Sequence, residues 1–298
     1  LKTLLAPVNL TNPGSFTIAR LLISAALLSR LLVSSPLMLN RSCLALLVCW
    51  PLMLVFAGGC ALGKQKIVPD SIAKCRELSR DGIAAMERSD WKNACDLLEE
   101  AVDTSQTDID ARRHLAEALW RTGAEREAVV QLEAAVQLDP RHAPTVVRAG
   151  EMLLGIGAVD RAMQRAEEAV ALDPALATAW ALRGRVFRRQ GNEHRALADM
   201  QQALRYAPHM TGVLLEVAEV QYALERPQRS LTTLHHLLDI YPPGEEPQQV
   251  LWLEGLAYGA LGRHTDAVGS LYAASGRGAP RVDLLYQLAV AEKAAGQP

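Results

Sequence analysis

A period of 34 residues constrains the fold of this chain more than any other feature of its sequence. Prolines mark the period at Pro140, Pro174, Pro208 and Pro242. Small side chains keep the same phase in three series, the second of which ends on a larger residue: Ala94, Ala128, Ala162, Ala196 and Ser230; Ala101, Ala135, Ala169, Ala203 and Leu237; Gly82, Ala116, Gly150, Gly184 and Ala218. A unit of this length accommodates two helices and a turn, and such units stack to build a continuous core.

Each recurring residue type has a physical role in a pair of antiparallel helices. A small side chain lets two helices approach closely, whereas a larger one would force them apart and leave voids, which packed interiors do not tolerate. Proline cannot continue a helix, so it marks the end of the second helix of a unit. Glycines between the two helices supply the permissive backbone of a tight turn; they are Gly123, Gly157, Gly191 and Gly262. The pattern therefore predicts an all-α array of helix pairs.

The identities of the recurring residues point to a known family. The fourth unit carries the most complete set, namely Trp180, Gly184, Phe187, Ala196, Ala203 and Pro208. The sixth unit retains Gly255, Tyr258, Ala267, Leu271 and Ala274. This pattern resembles the tetratricopeptide repeat family over about residues 75–298, although Asp81, Gln106 and Gln221 replace the usual Leu, Pro and Tyr. The resemblance implies a right-handed superhelical solenoid, in which the first helix of each unit lines the concave surface.

The register divides the chain into six units over residues 75–281, the first of which begins at Cys75. Between the fifth and sixth units the small-residue register advances by 37 residues, which predicts an insertion of three residues around positions 242–247. Residues 282–298 fit one more first helix, with Ala289 in phase. Because helical arrays need a terminal element with a polar outer face, this segment is predicted to be a capping helix made more polar by Glu292 and Lys293.

Residues 38–74 carry no repeat and are predicted to direct the chain to a membrane. Residues 38–59 have the layout of a secretory signal, with a positive start, an apolar middle and small residues before Cys60. The cysteine after small residues resembles a bacterial lipobox, although Ala57 stands where Leu is usual. The resemblance implies cleavage before Cys60 and a lipid on its sulfur, followed by a linker over residues 60–74. The alternative is a single transmembrane anchor over residues 43–62, interrupted by Pro51.

Residues 1–37 are an N-terminal extension with two open interpretations. The chain begins with Leu1, and Met38 opens the signal-like pattern, so the extension could be upstream sequence from an over-extended gene prediction. Alternatively, residues 16–33 could form an additional amphipathic or membrane helix.

The sequence contains no motif that indicates catalysis, a cofactor or a metal site. Neither a glycine-rich phosphate loop nor a nucleophile elbow is present, and the adjacent His235 and His236 point to different helix faces. Cys75 and Cys95 are expected to be free thiols rather than a disulfide, because they would lie at different heights on antiparallel helices. The formal net charge of −2 gives no general attraction to nucleic acid. We therefore expect neither an enzyme nor a protein that binds nucleic acid or a small-molecule substrate.

The candidate binding site is the groove that first helices line in the resembled family. The 34-residue offset places side chains in three rows: Glu117, Glu151, Arg185 and Glu219; Trp120, Leu154, Arg188 and Tyr222; Arg121, Gly155, Arg189 and Ala223. With Arg113 beside Trp120, the guanidinium groups and aromatic faces of this groove suit carboxylates and apolar anchors of a peptide. The simpler alternative is that Arg113, Glu117 and Arg121 pair along one helix and the remaining arginines form a solvated surface.

The combined pattern predicts a scaffold anchored in the membrane of the cell envelope, which faces the periplasm or the exterior and binds a protein partner. Six repeats behind a lipobox resemble the type IV pilus pilotins, which help secretins reach the outer membrane, so assembly of an envelope or secretion complex is the predicted task. Two alternatives stay open at this point: an accessory subunit of a cell-wall enzyme complex, and a single-pass transmembrane adaptor built on the same repeats.

Overall fold

The computed structural model describes residues 70–279 and 281–296, which belong to one compact unit, Val68–Pro298. The predicted signal, Cys60 and most of the linker lie outside the described residues. The described part contains thirteen helices and no strand. They are α1 (Asp70–Glu87), α2 (Trp91–Thr104), α3 (Ile109–Thr122), α4 (Glu125–Leu138), α5 (Ala143–Gly155), α6 (Val159–Leu172), α7 (Ala177–Arg189), α8 (Glu193–Tyr206), α9 (Thr211–Ala223), α10 (Pro227–Leu238), α11 (Gln248–Ala260), α12 (His264–Ser275) and α13 (Val282–Ala294).

The helices form six antiparallel pairs followed by α13, as the register predicted. Each helix packs against its neighbours in sequence, and the short connections within a pair require antiparallel packing. First helices of successive units also contact one another, which places the odd-numbered helices on the inner side of the array. The predicted solenoid of helix pairs is therefore confirmed. The first helix begins at Asp70 rather than at Cys75, because no unit precedes it and the repeat register carries no information there.

Small side chains lie where the two helices of a unit cross, as predicted. Ala94, Ala128, Ala162 and Ala196 are fully buried, and Ser230 is buried with its hydroxyl donating to the carbonyl of Ala218 at 2.8 Å. The glycines of the third series leave no room for a side chain. A Cβ added to Gly255 would lie 2.5 Å from Cγ of Leu271, and one added to Gly150 would lie 2.5 Å from a methyl of Leu182.

The turns and helix ends also follow the register. Gly123, Gly157, Gly191 and Gly262 all have positive φ angles, between 72° and 87°, which a glycine adopts without strain. The second helices α4, α6 and α8 each end two residues before the recurring proline. The fifth unit differs, because α10 ends at Leu238 and α11 begins only at Gln248, which confirms the predicted insertion.

The terminal helix α13 packs on the array but does not present the polar outer face that was predicted. Leu284 and Ala291 are buried against the sixth unit. On the opposite side Val282 is 86% exposed and Tyr286 is 66% exposed, and Leu285 and Val290 lie beside them. The prediction failed because residues spaced three and four apart form one helix face, and here that face is apolar. Lys293 is exposed on it, whereas Glu292 is only half-exposed.

Ion pairs join the second helices of the second and third units, α4 and α6. Arg165 on α6 forms two hydrogen bonds with Glu133 on α4, at 3.0 and 2.7 Å, and a further one with Glu168 at 2.7 Å. Burial opposes ionisation of Glu133, but hydrogen bonds and charges from Arg165 and Arg161 hold its pKa below the ordinary value.

None of the helices among the described residues is long and apolar enough to cross a membrane.

Candidate protein-binding groove

The inner surface carries a chain of ion pairs that runs from one first helix to the next. We call this set the groove ladder; its members are Glu117 and Arg121 on α3, Arg148 and Glu151 on α5, Arg185 and Arg188 on α7, and Glu216 and Glu219 on α9. Carboxylates and guanidinium groups alternate along it, so each unit is tied to the next by opposite charge. The ladder side chains are partly exposed, which places them at the floor of the groove rather than in the core.

Arg148 links the second and third units. Its Nη2 donates to Glu117 Oε2 at 2.7 Å, and its Nη1 donates to Glu151 Oε2 at 3.0 Å. Burial opposes its charge, but hydrogen bonds and charges from both glutamates outweigh burial and raise the pKa of Arg148. Sequence reasoning missed this residue because it lies 31 residues after Glu117, outside the rows defined by an offset of 34.

The same offset of 31 recurs in the next ladder contacts. Nε of Arg185 lies 2.9 and 3.0 Å from the two carboxylate oxygens of Glu216, and Nη1 of Arg188 lies 2.7 Å from Oε2 of Glu219. Three residues are nearly one helical turn, so each first helix faces its successor displaced by that amount. Burial raises the pKa of Glu216, and this outweighs the opposing charge and hydrogen bond of Arg185.

The structure thus places Arg185 and Arg188, two predicted partner-binding residues, in internal ion pairs. Arg185 also reaches Glu151 at 3.4 Å, so its guanidinium contacts two carboxylates. Arg188 uses only one nitrogen in the described contacts. Arg189 differs from both, because its side chain is exposed and has no ion pair among the described residues.

These three arginines line a cleft of about 580 Å³ at the centre of the groove. Leu154, Glu193, Glu216 and Glu219 complete its lining. Oε2 of Glu193 is buried without a hydrogen-bond partner in the described part of the chain. The cleft therefore holds an exposed donor, Arg189, and an unsatisfied acceptor, Glu193.

The predicted residues of the second unit, Arg113, Glu117, Trp120 and Arg121, all lie on α3. Arg113 pairs with Asp110 at 3.2 Å rather than with Glu117, whereas Arg121 and Glu117 approach to 3.5 Å on the same helix. The ring of Trp120 lies directly over Gly155: a Cβ built on that glycine would be 2.6 Å from the ring. Trp120 therefore fills the space above Gly155, the residue without a side chain in the row of Arg121 and Arg189.

Tyr222 and the two cysteines complete the predicted set. Tyr222 on α9 is half-buried against residues of the fifth and sixth units. Cys75 and Cys95 are buried free thiols, as expected. Cys75 donates to Asp108 at 3.3 Å, and burial, followed by the effect of Asp108, raises the pKa of its thiol. Within residues 70–279 and 281–296, no cluster of His, Cys, Asp or Glu is arranged to hold a metal ion.

Paired helices with a 34-residue period and a groove along their first helices define a helical-repeat protein. Residues 177–210 match the family model described as tetratricopeptide repeat. This match covers one unit, and the described residues have the fold of a tetratricopeptide repeat array.

Several solved structures have the same fold as the described part of this chain. PilF of Pseudomonas aeruginosa is 16% identical, with a TM-score of 0.64, and the match covers 74% of this chain and 99% of PilF. PilW, described as a widely conserved type IV pilus biogenesis factor, is 17% identical, with a TM-score of 0.63, over 72% of this chain and 98% of PilW. The APC/C hetero-tetramer Cut9-Hcn1 gives a TM-score of 0.64 at 14% identity, over 73% of this chain and 43% of the matched one.

At these identities the similarities show the fold alone. A comparison with curated protein sequences found no match.

Proposed function

We propose that this protein is a scaffold of the cell envelope, anchored through a lipid on Cys60, whose groove binds an acidic or C-terminal segment of a protein partner. The repeat fold is one that mediates protein–protein interaction. The observation that supports this groove as the binding surface is the 580 Å³ cleft lined by Arg189, an exposed arginine with no ion pair among the described residues.

The chemistry of the cleft complements a polypeptide. Arg189 is exposed and can donate to a carboxylate or a carbonyl oxygen of a polypeptide. Arg188 adds nitrogens that the ladder does not use. A planar guanidinium grips a carboxylate with two hydrogen bonds, which favours an acidic side chain or a terminal carboxylate of the partner at this point.

The groove ladder gives this surface a fixed shape. A binding site whose arginines already hold their own carboxylates loses little conformational freedom when a partner arrives, and a preorganised site binds more tightly for that reason. Arg185, with contacts to both Glu151 and Glu216, is therefore assigned to the scaffold. Arg189 is assigned to the partner.

The test begins with capture of partners on the full chain, followed by titration calorimetry of the captured protein. Arg189→Ala should weaken binding at least tenfold, about 1.4 kcal/mol, and higher salt should weaken the wild-type complex. Arg141→Ala is the matched control, since Arg141 is also exposed but lies between α4 and α5, outside the cleft. Equal affinities for wild type and Arg189→Ala would reject the cleft as the binding site.

The envelope assignment is supported by the signal-like residues 38–59 and by the fold shared with PilF and PilW. Incorporation of labelled palmitate in a bacterial host tests it. Wild type should be labelled and Cys60→Ser should not. Label retained by Cys60→Ser would reject lipidation at this residue, and a captured cell-wall hydrolase or synthase would favour the accessory-subunit alternative over pilus assembly.

A further inference from the structure

A second cavity, of about 170 Å³, opens at the end of the groove between α9, α11 and α13. We call it the apolar notch. Most of its lining is apolar or small, and the polar side chains of His264 and Gln287 complete it: the other lining residues are Tyr222, Gly255, Leu256, Gly259, Ala260, Ala267, Leu271, Val290, Ala291 and Ala294. The charged ladder does not extend into it.

The repeat register explains why the notch exists. Gly259 occupies the row position at which earlier units carry Trp120, Leu154, Arg188 and Tyr222. A large side chain is thus missing from one unit. A Cβ added to Gly259 would meet no atom within 4 Å, so the space above it is open.

The flanking positions change in the same unit. Leu256 takes the position of the ladder residues Glu151 and Glu219, and Ala260 takes that of Arg189. Two neighbouring groove positions that carry charged or large side chains in the second to fifth units are therefore apolar or small here, and the third, which alternates between arginine and a small residue, is small as well. A depression lined mainly by apolar side chains, with a few polar groups such as those of His264 and Gln287, is the form that ligand pockets take.

We propose that the apolar notch binds one bulky apolar side chain, of the size of Phe or Leu, from the same partner segment that contacts Arg189. This proposal rests on the proposed function of the groove. An apolar cavity of about 150 Å³ accommodates a benzene ring, so the volume of the notch matches a single aromatic or branched side chain. Val290, 46% exposed on the rim, is an apolar surface that such a side chain would cover.

Charge and position define the rest of the occupant. Arg188 and Arg189 lie two units away along the same groove, and Lys293 is exposed at the next position in the row of Gly259. The segment that fits this arrangement has an apolar anchor flanked by acidic groups. The anchor supplies affinity, because buried apolar and aromatic side chains dominate interface energies.

The decisive variant fills the notch without disturbing the fold. Gly259→Leu places a side chain in open space on α11 and replaces a poor helix former by a good one. Gly269→Leu is the matched control. Gly269, like Gly259, is helical and has no atom within 4 Å of an added Cβ, but it is exposed on α12 and lies outside the notch. Circular dichroism should show both variants folded.

Random peptides displayed on phage are selected on the wild-type full chain, and the enriched peptides are then measured on each variant by fluorescence polarisation. We expect the wild-type pool to share a Phe, Leu or similar apolar residue near an acidic one. These peptides should bind Gly259→Leu at least tenfold more weakly and Gly269→Leu within twofold of wild type.

The outcomes separate the two proposals. Peptides that lose affinity on Arg189→Ala but bind Gly259→Leu as tightly as wild type would overturn the notch and retain the groove. Peptides insensitive to both substitutions would overturn the groove function as well. A wild-type pool with no enriched apolar position would overturn the notch.

Discussion

Two arginine–aspartate pairs of this protein have nearly the same local geometry but different burial. Arg183 donates to the carboxylate of Asp199 at 2.7 and 2.9 Å, and Arg281 donates to that of Asp283 at 2.6 and 3.2 Å. Each guanidinium also lies over a tryptophan ring, at 4.7 and 4.8 Å from the ring centre. The two pairs therefore allow the contribution of burial to be measured.

We predict that Asp199→Ala is strongly destabilising and Asp283→Ala is not. The Asp199 side chain is 10% exposed and its partner 23% exposed, and the pair joins the two helices of the fourth unit. Removing one member of a fully buried pair costs about 3–5 kcal/mol. Because water still reaches part of Arg183, we expect about 2–3 kcal/mol. The Asp283 side chain is 51% exposed and lies only two residues from its arginine, so its removal should have no measurable effect.

Urea denaturation followed by far-ultraviolet circular dichroism measures the difference. The double variant Arg183→Met with Asp199→Leu adds a check, because replacing both members by apolar groups leaves no unpaired charge and should recover most of the stability. Equal shifts in midpoint for Asp199→Ala and Asp283→Ala would refute the claim that burial sets the cost of losing such a pair.

Three further outcomes follow from the packing and charges. Glu133→Gln should lower the urea midpoint near pH 7, with a deficit that vanishes as pH falls through its lowered pKa. For Glu216→Gln the loss of stability should depend on pH in the opposite direction. Because the pKa of Glu216 is raised in the folded state, its carboxyl stabilises the fold most below about pH 4.3, and this contribution is lost as pH rises. Ala196→Trp should cost about 3 kcal/mol or more, since the site is fully buried; an unchanged thermal melt would contradict this. Leu284→Ala should cost about 2–4 kcal/mol and Tyr286→Glu less than about 0.5 kcal/mol, which calorimetric melting would distinguish.

The sequence predicted those parts of the fold that depend on one unit repeating itself. Ala128, Ala162 and Ala196 recur in phase because every unit has the same helix crossing, and Gly123 and Gly157 recur because every unit has the same turn. Such positions depend on local geometry, so a periodic pattern is sufficient to find them.

Contacts between units were not predictable from the same rows. An offset of 34 identifies equivalent positions, but equivalent positions on successive helices do not face each other. The pairs Arg148–Glu117 and Arg185–Glu216 have an offset of 31, because the first helices are displaced by nearly a turn. A search for opposite charges 31 residues apart would have found the ladder, including the pair of Arg185 with Glu216.

The apolar outer face of α13 could have been read from the sequence, since Val282, Leu285 and Tyr286 are spaced three and four apart. The polar residues Glu292 and Lys293 gave the opposite expectation because they are near each other in sequence. Adjacent residues project about 100° apart on a helix, so two neighbouring charges do not make one face polar.

The ladder and the notch imply a division of roles along the groove. A partner that displaced a ladder pair would leave a half-buried charge without its partner, so the paired arginines resist replacement. Exposed Arg189 carries no such penalty, so a carboxylate of the partner can bind it without displacing an existing pair. The apolar notch releases water when it is filled and breaks no existing ion pair. Affinity should therefore come from two places that leave the ladder intact: Arg189 in the fourth unit and the sixth unit, where Leu256 and Gly259 interrupt the charged rows.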